Sequence, residues 1–267
     1  MAKPQIGFIG LGAMGAPMAG RLLDAGFKVT SSVNKNRKSL EALLSKGIEE
    51  ASSPAEVGAV ADILMLVVWD EAQIDTILKG DEGALTSLKA GSKILLMSTI
   101  SPAYCRDLAA ELKPKNIAII DCPLSGMPKG ALEGTLSLMA GGAAEDIAAC
   151  QAPLDTLGTI YHCGDVGAGQ VMKLGNNAMF IGTLSILLEV RDTVVSQGVD
   201  FDNFLSVLNN STGRSFVSQN IPVPESSVMP FPMPQKDISR LLMTGQEAKL
   251  TMPVLNACYH HTLEGSK

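Results

Sequence analysis

Residues 5–19 have the sequence QIGFIGLGAMGAPMA, and this stretch predicts the centre of the fold. A short apolar run ends at three glycines spaced as Gly10-x-Gly12-x-x-Gly15, and a helix-like segment then continues as far as Asp24. Gly10 permits a tight turn, Gly12 lets the backbone approach a pyrophosphate, and Gly15 lets helix and strand pack closely. The pattern therefore predicts a strand, a glycine turn and a helix in direct succession.

The surroundings of these glycines favour a dinucleotide-binding turn over a purely structural one. A second strand is predicted at residues 28–32, which is the spacing of a β-α-β unit. Phosphate groups bind at the N-terminus of such a helix, because free N–H groups and the helix dipole favour negative charge there. The predicted cofactor-binding turn consists of Gly10, Leu11, Gly12, Ala13, Met14 and Gly15.

The composition favours a globular chain with a sizeable core. The 267 residues are 46% hydrophobic, which suits one large or two ordinary domains. The net charge is −6 and no basic run occurs, so nucleic acid is not expected as a partner. No apolar run reaches the length of a membrane span, and the first strand follows the N-terminus too closely for a signal peptide. Five cysteines without CxxC spacing indicate reduced thiols and predict a cytoplasmic protein.

The loop after the second strand bears on the choice between NAD and NADP. A classical NAD site places an acidic residue there for the ribose 2′-hydroxyl, and residues 31–37 contain none. Asn34, Lys35 and Arg37 could instead bind a 2′-phosphate, because cations offset its charge. The alternative is an ordinary polar loop that takes no part in binding. We therefore predict NADP or NAD as the cofactor, with NADP favoured.

The rest of the N-terminal half alternates between short apolar strands and helices, which predicts an α/β fold with a doubly wound sheet. Residues 61–69 form a continuous apolar run typical of a strand buried on both faces, and Asp70 and Glu71 suit the start of the next helix. Ser101 and Pro102 form a second helix start. Further strands are predicted at residues 94–97, 117–121, 135–140 and 159–162, with a loop at 122–126 and a helix at 143–157.

No strand pattern occurs after residue 164, so we predict a Rossmann-type domain over residues 1–164 and an all-α domain over residues 165–267. The second domain begins with a connecting region at 165–197 that contains one helix over residues 170–197. That helix is apolar nearly all round, so most of its sides must be covered by another domain or another subunit. Shorter helices are predicted at residues 202–209 and 236–246, with a proline-rich loop at 221–234.

Lys173 and Asn177 are the candidates for catalysis that the sequence offers. They lie four residues apart near the start of the long helix and therefore share one face. Apolar neighbours reduce the hydration of a lysine and favour proton transfer, although most lysines near a helix start are solvated surface residues. His162, His260 and His261 lack the spacing of a metal site, so no metal is predicted.

Taken together, several stretches resemble the β-hydroxyacid dehydrogenases, which include 3-hydroxyisobutyrate dehydrogenase and L-threonate dehydrogenase. The first stretch also resembles the NAD-binding domain of the 6-phosphogluconate dehydrogenase superfamily. The matching stretches occur in the same order along almost the whole chain and are jointly more specific than the glycine motif. They are residues 6–18, Ser98-Thr99-Ile100-Ser101-Pro102, Asp121-Cys122-Pro123-Leu124-Ser125-Gly126, Gly134-Thr135-Leu136, Lys173-Leu174-Gly175-Asn176-Asn177 and Lys236-Asp237.

The resemblance implies a Rossmann-type domain, a long connecting helix and a helical domain through which such enzymes form homodimers or tetramers. It implies hydride transfer between NAD(P) and a small β-hydroxy acid, with Lys173 as general acid/base and Asn177 orienting the substrate. The residues implied to bind the substrate carboxylate are Ser125 and Gly126, with Met127 beside them. The remaining cofactor contacts that the resemblance implies are Val68, Gln73, Thr99 and, at the nicotinamide end, Lys236.

The sequence departs from the family pattern at three places. The usual Ser-Gly-Gly is Ser125-Gly126-Met127 here, so the carboxylate-binding loop is bulkier. The segment between Arg214 and Lys236 is short and proline-rich, and the family pattern predicts a final helix beyond Lys267. Residues 68–73 are nearer to the L-threonate dehydrogenase pattern, which favours a four-carbon sugar acid such as threonate over 3-hydroxyisobutyrate.

Two other functions stay open on the sequence alone. Imine and aldehyde reductases share the scaffold, but imine reductases generally replace the lysine at the position of Lys173. A cofactor-binding protein without turnover is the other alternative, because of the altered loop at Met127.

Overall fold

Parallel strands form the main part of the sheet in the N-terminal part of the chain. The structure is a computed structural model that describes residues 3–32, 37–221 and 233–264. The parallel strands are β1 (Ile6–Ile9), β2 (Val29–Ser31), β3 (Glu49–Glu50), β4 (Ile63–Leu66), β5 (Lys93–Leu96) and β6 (Ala118–Asp121). Their order across the sheet is β3-β2-β1-β4-β5-β6, which changes direction between β1 and β4. This is the doubly wound arrangement, so the predicted Rossmann-type fold is confirmed.

Three further strands extend the sheet beyond β6. They are β7 (Leu124–Ser125), β8 (Leu136–Gly141) and β9 (Gly158–Gly164). β8 is antiparallel to β6 and β7 and parallel to β9. The loop predicted at residues 122–126 is therefore wrong at its centre, because Leu124 pairs with Leu138 and Ser125 with Ser137. A two-residue strand is too short to show the alternation on which strand prediction depends.

Helices cover the sheet, and two of them start at the capping residues that the sequence predicted. They are α1 (Gly15–Asp24), α2 (Lys38–Leu44), α3 (Pro54–Val60), α4 (Glu71–Lys79), α5 (Pro102–Leu112) and α6 (Met127–Glu133). At the start of α4, Asp70 accepts a hydrogen bond from the Gln73 N–H. At the start of α5, Ser101 accepts one from the Tyr104 N–H. Both caps satisfy N–H groups that a helix leaves unpaired in its first turn, as the sequence predicted.

The helix predicted at residues 143–157 is broken into two. The structure has α7 (Ala144–Ala149) and α8 (Gln151–Asp155), with Cys150 between them at φ −96° and ψ 0°. Pro153 explains the break, because a proline in a continuous helix loses one hydrogen bond and its ring clashes with the carbonyl four residues earlier, here that of Ala149. The single-helix prediction is therefore wrong, and the cause was visible in the sequence.

The core of this part of the chain lies on the two faces of the sheet. Successive residues of a strand point to opposite faces. Accordingly Phe8 and Met65 belong to one buried cluster, while Ile9 and Leu64 belong to the other. Because both clusters are fully apolar, the strands are buried on both sides, as the continuous apolar run at residues 61–69 predicted.

The C-terminal part of the chain is helical in its described residues. Its elements are α9 (Ala168–Ser196), α10 (Phe201–Asn209), α11 (Phe216–Gln219), α12 (Met233–Glu247) and α13 (Pro253–Glu264). The long helix and the two shorter helices predicted from the sequence are confirmed. The loop predicted as far as residue 234 is wrong at its end, because α12 begins at Met233. Pro234 is the second residue of that helix, where a proline costs little because the N–H that it lacks would be unpaired. Residues 222–232 of that loop lie outside the described residues.

Contacts along the chain separate two units, Met1–Lys173 and Leu174–Lys267. The domain boundary after residue 164 stays a prediction. Within the second unit, Ile181 packs with Ile238 and Leu242, and Leu187 packs with Leu205 in a second cluster. No described helix, including the 29-residue α9, is apolar over a stretch long enough to cross a membrane.

Candidate functional site

The glycine turn lies where the strand order changes direction, between the ends of β1 and β4. Gly10 has φ +108°, and a Cβ atom there would lie 2.0 Å from the carbonyl oxygen of Val67 and 3.1 Å from Val68 Cγ1. Only glycine fits this turn without moving the backbone. In open α/β sheets, ligands bind in the crevice at this point, beyond the carboxyl ends of the strands.

The start of α1 suits the pyrophosphate of NAD(P). No side chain caps the helix, and its first turn carries no acidic residue. A Cβ atom at Gly12 would meet nothing within 4 Å, so the space above that residue is open. Uncapped N–H groups, a positive helix end and open space next to the backbone are what a bound phosphate requires. The residues present therefore fit a dinucleotide.

Hydrogen bonds hold the loops after β4 and β5 together at the same edge. Ser98 Oγ accepts a hydrogen bond from the Val68 N–H at 2.8 Å, and Gln73 Oε1 accepts one from the Trp69 N–H at 3.0 Å. Glu71 accepts one from the Ser101 N–H at 2.8 Å. Because parallel strands end at one edge, the structure brings the predicted cofactor residues Val68, Gln73 and Thr99 to the edge that carries the glycine turn.

The residues predicted to bind a 2′-phosphate are only partly described. Asn34 and Lys35 lie outside the described residues. The Arg37 guanidinium donates two hydrogen bonds to Glu50, at 2.5 and 3.0 Å, and lies 3.7 Å from Glu41. Glu50 holds the pKa of Arg37 above its usual value through these bonds. The positive charge of Arg37 is therefore already paired with carboxylates of this chain.

The substrate-binding loop predicted at residues 125–127 follows β7. Ser125 is half-buried, while Gly126 and Met127 are exposed. Gly126 has φ +137° and Met127 has φ +58°, so a methionine occupies a left-handed backbone conformation that glycine adopts at no cost. Met127 thus replaces the second glycine of the family's Ser-Gly-Gly, and its backbone keeps a conformation that is typical of glycine.

Asp121 and Gln170 form a buried link that the sequence did not indicate. Asp121 ends β6 and is fully buried, and its carboxylate accepts hydrogen bonds from the N–H groups of Gly167 and Gln170, at 2.5 and 2.8 Å. Gln170 is also fully buried, and its side-chain amide bonds to Ser98 and Ile100. The start of α9 is therefore tied to the ends of β5 and β6.

Burial raises the pKa of Asp121 to about 6, although the Gly167 and Gln170 N–H groups oppose the shift. Because the folded pKa lies above the usual Asp value, the folded state binds the extra proton between about pH 4 and pH 6. The free energy of unfolding should therefore fall by up to about 3 kcal/mol as pH rises through that window. Urea unfolding at both ends of the window should show this slope in the wild type and lose it in Asp121→Asn. An equal slope in both proteins would contradict the prediction.

Lys173 and Asn177 lie one helical turn apart on α9, and each is described within its own unit. Lys173 is half-buried at the end of the N-terminal unit. Asn177 is buried in the C-terminal unit, where its Nδ2 donates a hydrogen bond of 2.7 Å to Asp237. Lys236, predicted to reach the nicotinamide, is half-buried on α12 next to Asp237. Asp237 appeared in the sequence only as part of a matching dipeptide, and its bond to Asn177 joins residues 60 apart.

Comparison with known proteins matches both parts of the chain to dehydrogenase family models. Residues 5–167 match the family model for the NAD binding domain of 6-phosphogluconate dehydrogenase. Residues 167–265 match the model for NAD-binding of NADP-dependent 3-hydroxyisobutyrate dehydrogenase. The chain belongs to the β-hydroxyacid dehydrogenase family.

Individual relatives support the same assignment. A probable mitochondrial 3-hydroxyisobutyrate dehydrogenase of Dictyostelium discoideum is 34% identical over 82% of this chain and 68% of its own length. The 2-(hydroxymethyl)glutarate dehydrogenase of Eubacterium barkeri is 31% identical over 94% of this chain and 85% of its own. This member of the β-hydroxyacid dehydrogenases is thus an NAD(P)-dependent oxidoreductase that acts on the alcohol group of a hydroxy acid.

Solved structures confirm the fold. The 3-hydroxyisobutyrate dehydrogenase of Mycobacterium tuberculosis, solved with L-serine, superposes with a TM-score of 0.89 at 24% identity, over 100% of this chain and 95% of that one. An imine reductase variant from Myxococcus stipitatus, solved with NAD+, superposes with a TM-score of 0.73 at 21% identity, over 97% and 92%. The scaffold therefore serves more than one chemistry, and the side chains must decide which.

Proposed function

We propose that the chain oxidises a small acid that carries a hydroxyl group β to its carboxylate, with a four-carbon sugar acid such as threonate ahead of 3-hydroxyisobutyrate. The observation that carries this is the coincidence, within one unit, of an open glycine turn, an anchored α9 and Lys173 in the second turn of that helix. The substrates in the relatives' names, 3-hydroxyisobutyrate and 2-(hydroxymethyl)glutarate, both carry a hydroxymethyl group beside a carboxylate. In both, the hydroxyl group lies β to a carboxylate, as the C3 hydroxyl of threonate does, and this shared feature defines the substrate class.

The proposed roles follow the chemistry of alcohol oxidation. Bound NAD(P) supplies the acceptor for the hydride that leaves the alcohol carbon. Lys173 accepts the hydroxyl proton as that hydride leaves. Removing the proton and the hydride together avoids the formation of a free alkoxide. Asn177 orients the substrate, and Asp237 fixes its amide by accepting from Nδ2. Ser125 and Gly126 hold the carboxylate. Lys236 contacts the nicotinamide end of the cofactor.

We further propose that the enzyme forms homodimers or tetramers through its helical part. Several large apolar side chains on α9 are exposed in the single chain, with Met179 at 73% and Ile186 at 54%. Exposed apolar side chains along one long helix favour burial against another copy. We also propose a cytoplasmic location, which is consistent with five free cysteines. Sedimentation of the purified protein tests the assembly directly.

Reduced-nicotinamide absorbance tests the proposed substrate class. NAD and NADP are each offered with threonate, erythronate, 3-hydroxyisobutyrate, glycerate and 4-hydroxybutyrate. We expect turnover with at least one β-hydroxy acid. We expect NADP to be preferred through the cations of residues 34–37, although the pairing of Arg37 with Glu50 weakens that preference. Cofactor binding without turnover of any acid, combined with reduction of an imine or aldehyde, would replace the proposal with the reductase alternative. Binding with no turnover of any substrate would favour the non-catalytic alternative.

Replacing Met127 with glycine should widen the range of acids that are oxidised. The backbone at residue 127 already has φ +58°, so the glycine variant should fold normally. Removing the side chain from the carboxylate-binding loop should raise kcat/KM for a bulkier hydroxy acid by about tenfold relative to a small one. Leu132→Ala, which also removes an exposed apolar side chain from α6, is the matched control and should leave that ratio unchanged. An unchanged ratio in Met127→Gly would place residue 127 outside the substrate site.

A further inference from the structure

Gln170 uses both ends of its side-chain amide to hold the turn that follows β5. Oε1 accepts a hydrogen bond from the Ile100 N–H at 3.0 Å, and Nε2 donates one to the Ser98 carbonyl at 2.9 Å. All of these groups are buried. The amide oxygen faces a donor, the Ile100 N–H, and the amide nitrogen faces an acceptor, the Ser98 carbonyl. Because a flipped amide would lose both bonds, the orientation of the side chain is fixed. Thr99 lies between the two residues that Gln170 contacts, and it is half-buried.

The backbone of Gln170 is held by Asp121. The carboxylate of Asp121 accepts from the N–H groups of Gln170 and Gly167, and it therefore serves the unpaired N–H groups at the start of α9. Its surroundings are closely packed: a Cβ atom at Gly141 would lie 2.5 Å from its Oδ1, and one at Gly169 would lie 2.9 Å from its Oδ2. The first turn of α9 cannot shift along its axis without breaking these contacts.

Lys173 lies three residues beyond Gln170 on the same helix and in the same unit. Three residues correspond to a rise of about 4.5 Å along the axis, so the position of Lys173 Cα follows directly from that of Gln170. The turn containing Thr99 belongs to the edge that carries the glycine turn, and Thr99 is one of the predicted contacts of the cofactor. The contacts of Gln170 therefore tie the position of Lys173 to the turn that contains Thr99.

We propose that Gln170 is a positioning residue for the oxidation: it holds Lys173 in register with the Ser98–Ser101 turn, so that proton and hydride leave the substrate in aligned geometry. This inference rests on the proposed role of Lys173. It adds a residue that does not touch the reacting atoms, with Asp121 as the support of its backbone. A displacement of about 1 Å of a catalytic group lowers the rate by roughly a hundredfold, so a small loss of register should be measurable.

Gln170→Met tests the inference, because it keeps the side-chain length and removes both hydrogen bonds. Ser92→Ala is the matched control: it removes a buried side-chain hydrogen bond to the Ala61 carbonyl, next to β5 at the opposite edge of the sheet. We expect kcat of Gln170→Met to fall roughly 10- to 100-fold. We expect cofactor affinity to stay near that of the wild type and the primary deuterium isotope effect on kcat to rise, since the chemical step becomes slower.

Ser92→Ala should also lose stability, but without any of these kinetic changes. A kcat of Gln170→Met within about twofold of that of Ser92→Ala would overturn the inference, because the loss would then be one of stability alone. Absence of turnover in the wild-type enzyme would instead refute the proposed function, and the two failures are therefore distinguishable.

Gln170→Glu provides a second test that applies even if the methionine variant does not fold. One oxygen of the new carboxyl group can still accept from the Ile100 N–H, but the other faces the Ser98 carbonyl, to which only a protonated carboxyl can donate. Burial and the nearby carboxylates of Asp121 and Glu71 favour the protonated form, while the Arg106 guanidinium close to Gly167 opposes it. The ratio of variant to wild-type kcat should therefore rise as the pH is lowered from about 9 to about 6. A ratio near one at every pH would overturn the inference.

Discussion

Lys173→Ala is expected to lower kcat by about 10²- to 10⁴-fold while cofactor affinity stays close to that of the wild type. The proposed role of Lys173 is exercised only as the hydroxyl proton moves, so its loss should act on the rate and not on ground-state binding of the cofactor. Steady-state oxidation of the best acid from the substrate panel gives kcat. Titration of reduced-nicotinamide fluorescence gives the cofactor affinity.

Two further variants show whether proton transfer or positive charge matters at this position. Lys173→Arg keeps the charge, but a guanidinium does not deprotonate in a protein, so this variant should be nearly as inactive as the alanine variant. Lys113→Ala removes an exposed lysine after α5 and should leave kcat unchanged. Full activity of Lys173→Arg would show that charge alone is needed. Full activity of Lys173→Ala would remove Lys173 from the mechanism.

The fold was predictable where burial or capping produces a recognisable pattern in residues that are close together in the sequence. Residues 61–69 are mostly apolar because β4 is covered on both faces. Ser101 and Pro102 predict a helix start because their effects lie within its first turn. The errors occurred where the cause is a single residue or a very short element. Pro153 breaks a helix that the apolar pattern alone would continue, and β7 is two residues long.

The glycine turn was predictable for the same reason, and the buried contacts of Asp121 and Gln170 were not. Gly10, Gly12 and Gly15 lie within six residues; Gly10 and Gly15 are required by the backbone next to them, and Gly12 borders open space. The hydrogen bonds of Asp121 and Gln170 instead join residues 46 to 72 positions apart. In the sequence Asp121 is the polar end of a strand and the first residue of a stretch that matches the family, and Gln170 is only a polar residue near a helix start. Such pairings depend on tertiary contacts that local patterns do not contain.

The glycine turn should separate cofactor binding from folding through two variants only two residues apart. Gly10→Ala should destabilise the fold by several kcal/mol, on the order of 4, because the new Cβ would clash with the Val67 carbonyl at a backbone conformation that alanine avoids. Gly12→Val should change the free energy of unfolding by only about 0.5 kcal/mol, since nothing lies within 4 Å of a Cβ there.

Gly12→Val should nevertheless weaken cofactor binding by tenfold or more, about 1.4 kcal/mol, because its side chain would occupy the space that a pyrophosphate needs beside the backbone. Urea unfolding and fluorescence titration on the same preparations measure the two effects. Ala148→Val, at an exposed position on α7 outside the predicted site, is the control for added bulk. If Gly12→Val bound NAD(P) as tightly as the wild type, the pyrophosphate could not lie against Gly12, and the turn would serve only the packing of α1 against β1.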